Sequence, residues 1–350
     1  MNTHRIIYSL LFVFILLPNA LKAQSVEKTL YVEKAGSLIS ELTLEEANSI
    51  THLTLTGKIN AIDFKHLRDE FHNLQVLDLS AVDIKNYVGK KGTIDSFTIY
   101  SSNVIPAHAF SEKTNYDPKG KPSLKKIILP HNINAIEKFA FANCPNLEIL
   151  ICARGDAPSL SDSALSPQRT AIFVPAGSKE NYTSKKNWSE FAIIDNNPVT
   201  INLTLQSQDN LADLLSQKGI QPKDVNFLTL SGKIDNDDVK LIRDYMANLV
   251  SIDLRNTNMT EIPEYTFAQK TCLITAYLPN QLKGIGTRAF DNCNKLGPVL
   301  TLPATLTSIG YGAFINCFSL DVVRAMGNHI TAIGEDLFGE GVKNKLVYNE

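Results

Sequence analysis

The chain has 350 residues, with 34 Lys and Arg against 36 Asp and Glu, a formal net charge of -2, and 44% hydrophobic residues. This balance gives no electrostatic case for a nucleic acid or an anionic membrane as partner. After residue 23 no stretch approaches the roughly 20 consecutive apolar residues that a transmembrane helix needs, so no membrane span is predicted.

The first predicted element, residues 1–23, is a targeting segment. Arg5 precedes an apolar run from Ile6 to Leu17, and the small residues Ala20 and Ala23 follow it. Twelve apolar residues are too few to span a bilayer. The pattern is typical of a secretory signal peptide that is cleaved after Ala23. The mature protein is therefore expected outside the cytoplasm, as an extracellular, cell-surface or periplasmic protein.

A long internal repeat follows. Residues 50–84 align without gaps onto residues 225–259, which lie 175 positions later. Identical residues that mark the alignment include Leu53/Leu228, Gly57/Gly232, Lys58/Lys233, Ile59/Ile234, Asp63/Asp238, Arg68/Arg243, Asp69/Asp244, Leu74/Leu249 and Asp78/Asp253. In both copies the pattern predicts a strand, a polar turn, a helix with one apolar face and a second strand. The chain is interpreted as a tandem duplication, and Asp63 and Asp238 as helix-start residues.

A shorter period of 24 residues is superimposed on the duplication. Apolar strand residues recur at Leu230, Leu254, Leu278 and Leu302, and the pair Ala289-Phe290 recurs at Ala313-Phe314. A strict period of this length indicates a solenoid whose turns stack to share one core. The predicted fold is an α/β solenoid of two tandem modules, with short parallel strands and short helical or irregular return segments.

Cysteine positions follow the same repeat. Three of the five cysteines, Cys144, Cys293 and Cys317, occupy the same place in the repeat, just before a strand. A residue that recurs at a repeat position is placed by packing. Buried free thiols are therefore expected rather than the disulfide framework that an exported protein could carry.

Two runs carry a resemblance to a known family. Residues 136–147 and 309–320 follow the pattern Ile-Gly-x-x-Ala-Phe-x-x-Cys-x-x-Leu, with Glu137 in place of the glycine in the first run. This pattern resembles the BspA-like leucine-rich repeats of bacterial surface proteins. The resemblance implies an exported binding or adhesion protein without catalysis, whose ligands are host extracellular proteins.

The resemblance also suggests where each module ends. Residues 170–191, with Val-Pro-Ala-Gly-Ser, Tyr182 and Trp188, resemble the closing segment of such arrays, and the polar run ending at Pro198 predicts a joint. The expected domains are leucine-rich repeat module 1, residues 24–197 with inserted loops and the closing segment, and leucine-rich repeat module 2, residues 198–350. The second copy lacks a Val-Pro-Ala-Gly-Ser segment. Either residues 342–348 form a short cap or a partner covers that end.

The clearest difference between the copies predicts a binding site. The connection from Ile84 to Ile105 takes 21 residues, whereas the matching connection from Met259 to Ile262 takes three. A second insertion lies at residues 112–122. Long loops on a rigid scaffold are a usual place for binding, and aromatic anchors beside basic residues suit an acidic protein or a glycan. The candidate residues in the two insertions are Tyr87, Lys90, Lys91, Phe97, Tyr100 and Tyr116. The alternative is that the insertion only folds over the scaffold as a hairpin.

The outer face of the strands is the second candidate surface. Because side chains alternate along a strand, the residues expected to point outward include Ile128, Ile149 and Ile151 in the first copy. In the second copy they include Thr275, Tyr277 and Thr301. A strip of isoleucine side chains is unusual on a surface that contacts only solvent. Packing against the other module or the inserted loop is the favoured explanation.

The sequence lacks the residue patterns that are typical of a catalytic site. The chain has no Gly-x-Ser-x-Gly elbow and no glycine-rich phosphate loop, and its histidines lack metal-site spacing, so no cofactor or metal is expected. The predicted function is non-enzymatic binding or adhesion to an extracellular protein or glycan. One alternative is a structural or assembly component of an extracytoplasmic complex. An extracellular hydrolase is less favoured.

Overall fold

The computed structural model describes residues 25–114, 117–166, 169–339 and 345–348. The predicted signal peptide, residues 1–23, and the candidate residue Tyr116 lie outside the described residues. Short strands dominate the described part of the chain, and helices occur between them.

The strands of the N-terminal region, residues 25–194, are short and recur throughout it. In chain order they are β1 Glu27–Val32, β2 His52–Ile59, β3 Val76–Ile84, β4 Tyr87–Gly89, β5 Thr98–Tyr100, β6 Val104–Ile105, β7 Ser111–Glu112, β8 Lys119–Gly120, β9 Lys126–Leu129, β10 Ala135–Ile136, β11 Ile149–Cys152, β12 Ser159–Leu160, β13 Ala171–Phe173 and β14 Ala192–Ile194. Seven of them form one parallel sheet in the order β1-β2-β3-β9-β11-β13-β14. The segment that resembles a closing segment, residues 170–191, supplies β13, and β14 follows it directly.

The C-terminal region, residues 199–348, repeats this organisation with an interruption. Its strands are β15 Thr200–Leu205, β16 Phe227–Gly232, β17 Ser251–Thr257, β18 Glu261–Ile262, β19 Thr275–Tyr277, β20 Gly284–Ile285, β21 Val299–Leu302, β22 Ser308–Ile309, β23 Val322–Ala325, β24 Ala332–Ile333 and β25 Leu346–Tyr348. Parallel pairing gives a sheet β15-β16-β17-β19 and a separate sheet β21-β23-β25. Of the proposed cap, residues 342–348, the described part forms β25 against β23.

Each copy of the long repeat begins its main helix in the same way. The helices are α1 Leu44–Ser49, α2 Ala61–Asp69, α3 Lys179–Thr183, α4 Leu211–Gln217 and α5 Asn236–Tyr245, with 3₁₀ turns at Leu38–Glu41, Trp188–Glu190 and Pro222–Asp224. Capping boxes start α2 with Asn60 and Asp63, and α5 with Asp235 and Asp238. The Asp63 carboxylate also accepts hydrogen bonds from earlier backbone amides, as Asp238 does from Leu211 N at 2.8 Å. The helix-start interpretation of both aspartates is confirmed.

Phenylalanine and cysteine residues form regular stacks inside the repeats. The rings of Phe267, Phe290, Phe314 and Phe338 stack in sequence with centroid distances of 4.9, 5.6 and 5.8 Å. Each repeat cysteine donates its thiol to a phenylalanine carbonyl of the preceding turn, as Cys293 does to Phe267 O at 2.9 Å. All five cysteines are free and buried, as the packing interpretation predicts.

Two large hydrophobic clusters fill the two regions, and a third, smaller one joins them. The buried side chains of one large cluster come from between Val32 and Ile193, and those of the other come from between Ile201 and Phe338. The third takes side chains from both regions, namely Ala171, Phe173, Ala192, Ile194, Val250, Cys272 and Ile274. The ring centroids of Phe173 and Phe227 lie 6.1 Å apart across this contact, and Lys295 Nζ donates a hydrogen bond to Glu190 O. The outer face of the last two strands of the first sheet is therefore buried against the C-terminal region.

Candidate binding surface

The first insertion folds as an antiparallel hairpin, with Tyr87 opposite Tyr100 and Val88 opposite Ile99. Its two ends meet at the scaffold, because Asn103 N donates to Ile84 O at 3.0 Å. Since side chains alternate across a strand, Tyr87 and Tyr100 lie on one face and Val88 and Ile99 on the other. The hairpin therefore has an inner and an outer face.

The inner face holds the hairpin together. The rings of Tyr87 and Tyr100 stack at a centroid distance of 5.9 Å. The hydroxyl of Tyr100 accepts a hydrogen bond from Ile94 N at 3.0 Å, and that of Tyr87 accepts one from Lys91 N at 3.2 Å. Tyr100 is only 5% exposed, and Tyr87 is half-buried. These two tyrosines support the hairpin, and Tyr100 presents almost no surface to a ligand.

Arg68, at the end of α2, fastens the insertion to the scaffold. Its Nη1 donates to Thr93 O at 3.0 Å and to His108 O at 2.9 Å, while its other nitrogens pair with Asp69. Lys65 adds an ion pair with Asp95 at 2.6 Å. This pair lowers the pKa of Asp95 through the hydrogen bond from Lys65. One guanidinium that satisfies two loop carbonyls gives the insertion a fixed position.

The outer face of the hairpin is apolar and exposed. Val88, Phe97 and Ile99 are 50%, 66% and 74% exposed. Phe97 directly precedes β5 and lies two residues before Ile99. Lys90 and Lys91 are also exposed and form no ion pair with a described residue. We call Val88, Phe97 and Ile99, with Lys90 and Lys91, the hairpin patch.

The second insertion forms the short antiparallel pair β7–β8 beside α2. Lys121, which directly follows β8, is 5% exposed and donates from Nζ to Arg68 O at 3.1 Å. Burial lowers the pKa of Lys121 to about 8. The equivalent lysine of the second copy, Lys270, donates to Arg243 O at 3.0 Å, and burial lowers its pKa to about 8 as well. Lys121 therefore caps a helix and is not available to a ligand.

The isoleucine strip lies on the outer face of the first sheet, as the alternation predicts. Ile149 and Ile151 are half-buried and pack against the cluster that joins the two regions. Ile128 is half-buried on the same face and is not part of that cluster. Packing between the two regions accounts for Ile149 and Ile151, which leaves the hairpin patch as the more exposed of the two candidate surfaces.

Chemical groups suited to catalysis are not gathered at either surface. Among the described residues, no group of three or more His, Cys, Asp or Glu side chains is placed to hold a metal ion. The thiols whose pKa values are raised most are those of the repeat cysteines, which are packed in the core. Burial raises the pKa of Cys144 and of Cys317 to about 12, which is the opposite of an activated nucleophile. None of the described helices is long and apolar enough to cross a membrane.

Sequence reasoning missed Val88, Ile99 and the role of Arg68. Residue type alone points to the aromatic and basic residues of the insertion, whereas the strand register decides which side of the hairpin each of them occupies. The short alternating runs Tyr87-Val88-Gly89 and Thr98-Ile99-Tyr100 were the available signal, since a period of two predicts strands with two distinct faces.

Comparison with known proteins gives one match to a repeat family. Residues 119–173 and 244–345 match the family model described as BspA type Leucine rich repeat region, in six copies. No curated protein matches the chain.

Several solved structures are similar at low identity. A leucine-rich repeat protein from Bacteroides ovatus is 13% identical, with 87% of this chain and 85% of that chain covered and a TM-score of 0.28. The pneumococcal vaccine antigen PcpA is 14% identical, with 86% and 69% covered and a TM-score of 0.26. A leucine rich cell surface protein from Faecalibacterium prausnitzii is 14% identical, with 80% of each chain covered and a TM-score of 0.22. Because these TM-scores are low, only the repeat match bears on identity.

Proposed function

Because the chain carries BspA-type leucine-rich repeats, we propose that it is an exported, non-enzymatic protein that binds an extracellular protein through the hairpin patch. In this proposal residues 1–23 are a signal peptide, and residues 24–197 and 198–350 are two tandem leucine-rich repeat modules of an α/β solenoid. The protein acts at the cell surface, in the periplasm or in the medium. Export is supported by the charged, apolar and small-residue order of residues 1–23.

The division into two modules is supported by the hydrophobic clusters. Most buried hydrophobic residues between Val32 and Ile193 form one cluster, and most of those between Ile201 and Phe338 form another, so each region has a core of its own. The smaller cluster around Phe173 and Ile274 holds the modules together.

One observation carries the assignment of the site. The hairpin patch exposes three large apolar side chains on an insertion that the second copy lacks, and the scaffold closes the same connection in three residues there. An insertion that served only to cover the scaffold would turn its apolar side chains inward. The structure instead turns Tyr100 inward and leaves Phe97 and Ile99 exposed. Apolar anchors flanked by unpaired lysines suit a protein surface that has an apolar pocket with an acidic rim.

The test uses the mature chain, residues 24–350, against a panel of purified host extracellular-matrix proteins in a surface-binding assay. The intact chain is expected to bind at least one panel protein. The triple substitution Val88→Ser, Phe97→Ser and Ile99→Ser is expected to weaken that binding at least tenfold.

Phe318→Ser provides the matched control, because Phe318 is 73% exposed and lies far along the chain from the hairpin. This variant is expected to bind as the intact chain does. Failure of the intact chain to bind any panel protein would contradict the proposed function. Equal binding by the triple variant and the control would move the site away from the hairpin patch.

A further inference from the structure

A groove lies where the strand pairing of the C-terminal region is interrupted. Strand β19 pairs with β17, and β21 pairs with β23, but among the described strands β19 and β21 are not paired with each other. The groove over this interruption has a volume of about 450 Å³, and its walls include Arg255, Thr275, Tyr277, Asn280, Thr301 and Met326. Its size lies within the range of about 300–1,000 Å³ that is typical of small-molecule sites.

The charged group in the groove is already neutralised and held in place. Arg255 Nη2 donates to Asp253 Oδ2 at 2.6 Å, and Arg255 Nε donates to Asp253 Oδ1 at 3.0 Å. The guanidinium carbon also lies 4.6 Å from the ring centroid of Tyr277. A guanidinium paired in this way keeps little net attraction for an anion, while its planar N–H groups stay oriented. The groove is therefore suited to an uncharged ligand.

Polar side chains around the groove have free hydrogen-bonding capacity. The side chains of Thr275, Asn280 and Thr301 form no hydrogen bond with a described residue. Threonines of the adjoining turns behave differently, since the hydroxyls of Thr305 and Thr307 donate to backbone carbonyls. Hydroxyl and amide groups that the fold does not use can donate to and accept from a ligand.

The same groove offers an apolar platform. Tyr277, Val299 and Met326 are 44%, 44% and 46% exposed and all line the groove. A tyrosine ring has an apolar body, and the methionine side chain adapts to irregular shapes. A sugar ring matches this combination, because it has an apolar C–H face and a rim of uncharged hydroxyl groups.

We propose that this groove binds a neutral oligosaccharide, with a sugar ring on Tyr277 and its hydroxyl groups at Thr275, Asn280, Thr301 and Arg255. The volume of about 450 Å³ suits a ligand of about two or three sugar rings. A second cavity of about 220 Å³ shares Thr275, Tyr277 and Thr301 and leads toward Glu148 and Arg169 of the N-terminal region. A longer saccharide extends along this second cavity, so the contact between the two regions sets its direction.

The test is calorimetric titration of the mature chain, residues 24–350, with maltotriose, cellotriose and N,N′,N″-triacetylchitotriose. At least one of these neutral trisaccharides is expected to bind with a dissociation constant in the micromolar to millimolar range. Tyr277→Ala is expected to weaken this binding at least tenfold, and Asn280→Ala at least threefold. Melting temperatures of both variants check that they fold.

Tyr311→Ala is the matched control, because Tyr311 is 40% exposed and also lies beside an arginine, with the Arg288 guanidinium carbon 5.9 Å from its ring centroid, but outside the groove. It is expected to bind the saccharide as the intact chain does, and so is the triple hairpin variant. The proposal is overturned if no trisaccharide binds, if Tyr277→Ala and Tyr311→Ala behave alike, or if only charged sugars bind. Binding of uncharged peptides in place of sugars, lost in Tyr277→Ala, would assign the groove to a peptide instead.

Discussion

Arg68 and Arg243 occupy the same position in the two copies, and each forms the same ion pair with the aspartate that follows it. The side chain of Arg68 is 8% exposed, whereas that of Arg243 is 38% exposed. The difference arises because only the first copy has the inserted hairpin, whose Thr93 carbonyl accepts from Arg68. The arginine therefore has the same aspartate partner in both copies and a second role in the first. The inserted part of the molecule, rather than the shared part, distinguishes the copies chemically.

The largest expected effect concerns what the two copies share, their stacked phenylalanines. Phe290→Ala and Phe110→Ala should each destabilise the protein by about 3–5 kcal/mol, because each removes a fully buried ring from a repeat core. Urea denaturation measures this cost. Phe318→Ala is the control, with an expected change of no more than about 0.5 kcal/mol at a 73% exposed position. Near-native stability of both core variants would show that the inward assignment is wrong.

The next effect separates the copies. Arg68→Ala should destabilise the protein by about 2 kcal/mol, since it leaves the carbonyls of Thr93 and His108 without their donor. Arg243→Ala removes an exposed ion pair, and its cost should be about 0.5 kcal/mol or less. Denaturation of the two variants side by side measures the difference. Equal costs would mean that Arg68 does not fasten the insertion.

A pH-dependent effect should be alike in the two copies. Burial raises the pKa of Cys144 and of Cys317 to about 12, above the ordinary value of 9.0. A thiol whose pKa is higher in the folded than in the unfolded state stabilises the fold fully below pH 9, and this contribution is lost as the pH rises toward 12.

The free energy of unfolding of the intact chain should fall between pH 8 and pH 11, because these thiols ionise more readily in the unfolded state. Cys144→Ala and Cys317→Ala should each make that decrease smaller by about 2 kcal/mol. Urea denaturation at both pH values, with a reductant present, makes the comparison. If the alkaline loss is unchanged in both variants, these thiols are not buried as the structure has them.

The smallest effect concerns the lysines of the hairpin patch. Replacing Lys90 and Lys91 with alanine should slow association with the bound matrix protein several-fold at low salt and should weaken the salt dependence of the association rate. Lys185 and Lys186, an exposed pair outside the insertions, are the matched control. An equal change in both double variants would show a general charge effect rather than a contribution of the patch.

Periodicity made the scaffold predictable from sequence. Leu278 and Leu302, Phe290 and Phe314, and Cys293 lie where the 24-residue spacing places them, because every turn must bury the same positions. The resemblance carried by residues 136–147 and 309–320 was confirmed by the family match.

The inserted parts were less predictable because no repeat constrains them. Tyr100 was named as a binding residue, but the hairpin register places it opposite Tyr87 on the inner face. Lys121 lies in the second insertion, and its partner, the Arg68 carbonyl, lies 53 residues earlier in the chain, so its burial cannot be inferred from a local pattern. The contact of Ile149 and Ile151 with the C-terminal region depends on how the two regions meet, which a local pattern does not encode.

The most direct test makes the first copy resemble the second by deleting residues 85–102. The deletion joins Ile84 to Asn103, whose amide already donates to Ile84 O at 3.0 Å. The shortened chain should fold, with a melting temperature within a few degrees of the intact chain, and should no longer bind the matrix protein that the intact chain binds. A folded, shortened chain that still binds that protein with undiminished affinity would contradict the claim that the hairpin patch is the binding site.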